Sequence, residues 1–108
     1  MRSGDSDALV VYVTAPIDAA DTLARSIVEE QRAACVNIVP TVRSVYRWEG
    51  AVEVDEEALL IVKTTTEGLD ALIAHVEAEH PYDTPEVIAL PIVDGATSYL
   101  SWVTANVS

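Results

Sequence analysis

The chain has 108 residues, half of them apolar, with 18 acidic residues against 6 basic ones and a formal net charge of -12. That length suits one domain, residues 1–108, able to remove roughly two-thirds of its extended-chain surface from water. Five scattered arginines and a single lysine, Lys63, exclude the clustered basic surface that nucleic acid or an anionic membrane requires.

No run of about 18 uncharged apolar residues is present, so no spanning helix is expected. The opening "MRSGDSDA" is followed by only a short apolar run and does not resemble a secretory leader. Residues 1–7 are expected to be a flexible segment and the protein to be cytoplasmic. Cys35 is the only cysteine, so no intrachain disulfide can form, in keeping with a reducing compartment. Because the chain keeps a full apolar complement, its acidity is not the signature of disorder. It reads as a solvated acidic shell suited to a salty, halophilic cytosol in which self-repulsion is screened. An acidic, metal-collecting surface is the alternative.

In chain order, "ALVVYVT" (Ala8 to Thr14) is a short β-rich run ending at Pro16, predicted as a buried strand. From Asp18, placed to cap, Ala20, Leu23, Ala24, Ile27 and Val28 form a helical stripe ending near Arg32, with Asp21 in the first turn where the helix dipole favours an anion. "CVNIVPTVRSVYRW" and "AVEVDEEALLIVKT" read as two long strands joined at Glu49-Gly50, a hairpin turn signal. Pro40 cannot donate to a ladder, so the first of these strands is bulged there or lies on an edge.

"TTTEGLDALIAHVEAEH" is predicted as a second helix with threonines suited to capping, stopping at Pro81. "EVIALPIV" is a fourth strand, and "ATSYLSWVTANV" a short terminal helix with Tyr99, Trp102, Val103 and Asn106 on one face. The order βαββαβ plus a helix predicts an α+β, ferredoxin-like sandwich, with helical crossovers joining parallel pairs. The central hairpin strands run about twice the usual five or six residues, too long for two short helices to cover. Their far ends, with Tyr46, Arg47 and Trp48, must project or meet a partner, and closed homo-oligomerisation is the usual remedy for such edges.

The blocks "QRAACVNIVP", "SVYRWEG", "EEALLIVKT", "HPYDTPEVIALPI" and "YLSWV" together resemble the CutA family of divalent-cation tolerance proteins, from about Leu9 to Val103. The resemblance implies a ferredoxin-like protomer and a tight homotrimer in which the long hairpins pack against neighbours through Tyr46, Arg47 and Trp48. It also implies an association with tolerance of copper and other divalent cations, and no enzymatic reaction.

Residue chemistry bounds the metal question separately. There is no Cys-x-x-Cys, so paired thiolates of the copper-chaperone type are absent. His75 and His80 are about 140° apart around a regular helix and cannot share one ion. His75 with Glu79 is a weak chelating pair or simply part of a solvated face. His80 either closes the helix and holds the "HPYDTPE" loop or serves as a copper ligand together with a neighbouring protomer. Cys35 either packs as an inert thiol or, as the softest group present, ligates copper; symmetry would have to bring copies together.

Lys63 is expected either to form an intersubunit ion pair with a carboxylate or to orient an anionic ligand. With Tyr82, Trp102 and Trp48 it outlines a candidate small-molecule cleft between protomers, by fold-level analogy with trimeric PII-type signalling proteins. An enzyme is not expected: "VTAPIDAAD" lacks the glycine-rich anion loop an acylphosphatase would need, and no nucleophile is paired with a base. No cofactor is required, copper or another divalent cation being the one candidate.

Overall fold

The computed structural model describes residues 7–108. Of the flexible segment expected at residues 1–7, all but Asp7 lies outside the described residues; the Asp7 carbonyl accepts the Thr66 N–H at 2.9 Å. The elements are β1 (Ala8–Ala15), a 3-10 turn (Ile17–Ala19), α1 (Ala20–Glu29), β2 (Cys35–Trp48), β3 (Ala51–Thr65), α2 (Leu69–Glu79), β4 (Val87–Pro91) and α3 (Thr97–Ala105). This is the α+β, ferredoxin-like order read from the sequence. Among the described residues, no helix is long and apolar enough to cross a membrane.

The strands form one sheet in the order β2-β3-β1-β4, and every neighbouring pair is antiparallel. The parallel pairs expected from the helical crossovers are not neighbours in the sheet. Each helical crossover joins two strands of the same direction, but a third strand lies between them: β3 between β1 and β2, β1 between β3 and β4.

Helices α1 and α2 cover one face of the sheet, where Val11, Val13, Leu60 and Val62 meet Leu23, Ile27, Leu72 and Val76 in the main core. Asp21 stands in the first turn of α1 as expected, but Asp18 falls in the 3-10 turn and makes no cap, Ala19 being the N-cap. The helix ends at Glu29, before Arg32, because Gln31 turns left-handed (φ 58°). The Gln31 N–H then donates to Val28 O at 3.0 Å and the Arg32 N–H to Ile27 O at 2.9 Å, satisfying the last carbonyls. At the start of α2 the Gly68 N–H donates to Thr65 Oγ1 at 3.0 Å, so a threonine does serve that end. A Cβ at Gly68 would stand 2.7 Å from Val107 Cγ1, which explains the glycine. In α3, Val103 is buried with Ala8 and Ala34, flanked by Leu100 and Val107. Tyr99, Trp102 and Asn106, expected to share its face, stay exposed.

The long hairpin is present in full. Pro40 sits both on an edge strand and in a bulge, since the β2–β3 register shifts between Val39 and Val42. Trp48 pairs with Ala51, leaving a two-residue turn in which Glu49 (φ 49°) and Gly50 (φ 82°) are both left-handed, the geometry that matches the twist of a two-residue hairpin. The described chain measures 46 × 26 × 23 Å. Beyond the helices the hairpin exposes apolar side chains on both faces: Val45 and Val54, directly opposed on one, and Tyr46 and Trp48 on the other.

The second face of the sheet carries no helix over most of its area. Period-two alternation places Tyr12 of β1, Leu59 and Ile61 of β3 and Ile88 and Leu90 of β4 there. The first three are half-buried, and Ile88 and Leu90 are exposed.

Candidate functional site

On this helix-free face, two regions hold the chemistry. The first is where β2 begins. Cys35 pairs in register with Lys63, whose Nζ donates to Asn37 Oδ1 and stands 4.0 Å from Cys35 Sγ. Within the chain no carboxylate is within ion-pair reach of Lys63 among the described residues, and its ammonium meets an amide instead. Tyr99 of α3 adjoins the same thiol: burial first, and then Cys35, push its phenol above the ordinary range. Trp102 leans on Tyr99 with ring centroids 5.5 Å apart.

The second region is a groove of about 620 Å³ between the hairpin and the "HPYDTPE" loop, lined by Thr14, Tyr46, Trp48, Glu57, Tyr82 and Glu86 among others. Glu57 is only 6% exposed and accepts a hydrogen bond from Tyr82 Oη at 3.2 Å. Burial, followed by the charge of Glu57, pushes the Tyr82 phenol up. Tyr46 donates to Asp55, and that bond, ahead of the neighbouring carboxylates, pushes its phenol up to about 12. Because the folded chain holds the protonated phenol, this contribution is complete below about pH 10 and is lost as pH rises through about 12. Asp55→Asn is expected to move a phenolate absorbance transition near pH 12 down toward 10.0.

His80 supports the loop. Tyr82 N–H donates to its Nδ1 at 3.1 Å, so Nε2 carries the proton and donates to Thr14 O at 2.7 Å. The imidazole also stacks on Tyr82, centroids 4.7 Å apart. Within the chain both imidazole nitrogens are therefore engaged in holding the loop. His80 is also remote from Cys35. Thr14 and Cys35 sit opposite Leu59 and Lys63 of β3 respectively, four residues or about 13 Å apart at the usual strand rise.

His75 is not on a solvated face either. Its side chain is 6% exposed, with Nε2 2.9 Å from Ser26 Oγ of α1 and Nδ1 3.9 Å from Glu30. The Ser26 hydroxyl donates to Leu23 O at 2.9 Å, so the ring nitrogen is the donor to Ser26 and the pair fastens α1 to α2. Of the four side chains expected to line a cleft between protomers, Tyr82 and Trp48 lie at the groove of their own chain and Lys63 and Trp102 in the Cys35 region. Among the described residues, no three His, Cys, Asp or Glu side chains converge to hold a metal ion.

Residues 9–106 match the family model described as CutA1 divalent ion tolerance protein. The chain belongs to this family. A CutA of Thermus thermophilus, named a divalent-cation tolerance protein, is 51% identical over 98 residues, covering 90% of this chain and 95% of that protein. A solved structure of a divalent cation tolerance protein from Thermus thermophilus superposes with a TM-score of 0.91 at 49% identity, covering 94% of this chain and 99% of that one. The chloroplastic CutA of Arabidopsis thaliana is 57% identical over 96 residues, 88% of this chain but 53% of the plant protein. The chain thus spans about half the length of that relative. A structure described as a PII-like protein CutA from Nostoc sp. PCC 7120 aligns with a TM-score of 0.88 at 28% identity, over 93% of this chain and 97% of that one.

Within the CutA fold, sequence reasoning passed over Glu57 and Tyr99. The signal for Glu57 was available: counting down by two from Ile61 and Leu59 puts it on the same apolar strand face, where a carboxylate is out of pattern. Tyr99 gave no such signal, since its neighbour Cys35 is distant in sequence.

Proposed function

We propose that the chain acts as a non-enzymatic, trimeric divalent-cation tolerance protein of the cytoplasm, in which copper is held by Cys35 thiolates from more than one copy. The match of residues 9–106 to the CutA1 divalent ion tolerance family carries this reading. Supporting it, Cys35 is unpaired and half-buried near the free edge of the sheet rather than sealed in the core. One chain alone does not fit a metal, since no three ligands converge among the described residues. Copies brought together by symmetry would supply the two or three soft ligands that Cu(I) favours.

Assembly is supported by the apolar helix-free face and by the projecting hairpin, with Tyr46, Arg47 and Trp48 set against neighbours. The acidic shell suits a halophilic cytosol. The alternative, a PII-like metabolite- or anion-sensing cleft between subunits, has weaker support: Lys63, its one cation, already donates to Asn37 Oδ1 within its own chain.

The test is titration with Cu(I) under reducing conditions in high salt. Fewer than one ion per chain should bind tightly, and Cys35→Ala should weaken binding by about 100-fold or more, since no other soft ligand is present. His80→Ala should leave it unchanged. Equal Cu(I) binding by Cys35→Ala would show that surface carboxylates alone collect the metal.

A further inference from the structure

We propose that the groove between the hairpin and the "HPYDTPE" loop is filled by a second copy of the chain, whose Arg47 guanidinium pairs with the buried Glu57 carboxylate. This rests on the trimeric reading above and adds to it one ion pair and the orientation of the interface. Glu57 is 6% exposed, the Tyr82 hydroxyl beside it is a neutral partner, and no Lys or Arg side chain pairs with it among the described residues. Two further carboxylates, Asp83 and Glu86, line the groove, and no basic side chain does. Packing a neighbour against Tyr46 and Trp48 takes Glu57 still further from water. A carboxylate so buried is costly without a cation, and a guanidinium fork meets it best. The Tyr46, Trp48 and Tyr82 rings in the lining suit the same cation.

The register of the hairpin fixes where that cation comes from. Val42 opposes Glu57, Tyr46 opposes Glu53 and Trp48 opposes Ala51, so Glu57, Tyr46 and Trp48 share one face of the hairpin. Arg43 opposes Glu56 and Arg47 opposes Val52, which puts both arginines on the other face. A chain therefore holds its hairpin arginines away from its own Glu57, whereas a neighbour stacked front to back can offer them. Both arginines are exposed, but Arg43 already stands opposite a carboxylate and Arg47 opposite a valine. Other cations are placed elsewhere: Arg25 is on α1, and Lys63 donates to Asn37.

The apolar side chains follow the same division. The face with Arg47 exposes Val45, Val52 and Val54, and the face with Glu57 exposes Tyr46 and Trp48. Front and back thus complement each other in charge and in apolar area. A contact between unlike surfaces is heterologous, and it closes into a ring when the rotation between copies permits. Such an arrangement suits a trimer rather than a two-fold dimer, in which each hairpin face would meet its own kind.

The test is a double-mutant cycle on the full chain in molar salt, where exposed charge pairs are screened and a buried pair much less so. Urea unfolding of the parent, Arg47→Met, Glu57→Gln and the double variant is followed at several protein concentrations, which gives the dissociation constant of the assembly. Each single change should raise that constant roughly tenfold or more, and the double change no further than the worse single. Arg25→Met should leave it unchanged. Where Glu57→Gln does not fold, Arg47→Lys treated with a zero-length carbodiimide decides: Lys63 is the one other lysine, and an amide from the introduced amine to Glu57 should link copies into dimers and trimers on a denaturing gel. The pairing is overturned by losses that add, by an Arg47→Met assembly as tight as the parent, or by a link that is absent or made to another carboxylate. With a trimeric parent, those results leave the trimer reading standing; a parent that sediments as a monomer overturns both.

Discussion

Truncating Leu60 to alanine is expected to lower the unfolding free energy by about 2–5 kcal/mol, the range for removing a large aliphatic side chain from a packed core. Leu60 is fully buried, opposite Val13 on one side and Ile38 on the other, beneath the two helices. Since domains of this size are stable by only about 5–15 kcal/mol in total, the loss should be visible as a large shift in denaturation midpoint. Its neighbour Leu59 provides the informative contrast. It points to the helix-free face and is only half-buried in the single chain. If other copies cover that face, Leu59→Ala should also destabilise, with a midpoint that depends on protein concentration. A concentration-independent midpoint, close to that of the parent, would mean that the face is bare in solution.

Removing salt should produce the second large effect. With 18 acidic and 6 basic residues, the chain repels itself at low ionic strength, where the screening length reaches about 30 Å at 0.01 M against about 3 Å at 1 M. Few charges are locally compensated: among the described residues the ion pair within 4.0 Å is His75 with Glu30. The thermal midpoint is expected to fall by more than about 5 °C between molar and 10 mM salt, equivalent to roughly 1 kcal/mol for a chain of this length. An unchanged midpoint would remove the basis for reading the acidic shell as a salt adaptation.

The fold was legible where short-range rules decide it. Glu49-Gly50 marked the turn because two left-handed residues are needed there, and Pro40 marked the bulge because it lacks an N–H. The amphipathic stripe of α1 named the buried Ala20, Leu23, Ala24 and Ile27, although Val28, counted with them, stays exposed. Hydrogen-bonded strand neighbours were not legible, because sequence order does not tell which strand slides between two others. The candidate site depended even more on distant pairings. His80 presents two nitrogens in sequence, and only the loop's return onto β1 shows both occupied by Thr14 and Tyr82. Likewise, His75 reads as exposed until α1 is laid against α2. Lys63 and Trp48 belong to different ends of the sheet, so a cleft containing both must draw them from different copies.

Assembly decides whether the hairpin and the helix-free face have partners, and sedimentation equilibrium in molar salt measures it directly. Dilution to about micromolar concentration should leave a trimer, because a largely apolar, closed interface dissociates far below that range. Tyr46→Ser combined with Trp48→Ser should weaken the assembly while leaving the helix-covered core intact. A monomer of 11.6 kDa at that concentration would contradict the trimer and, with it, a copper site shared between Cys35 side chains.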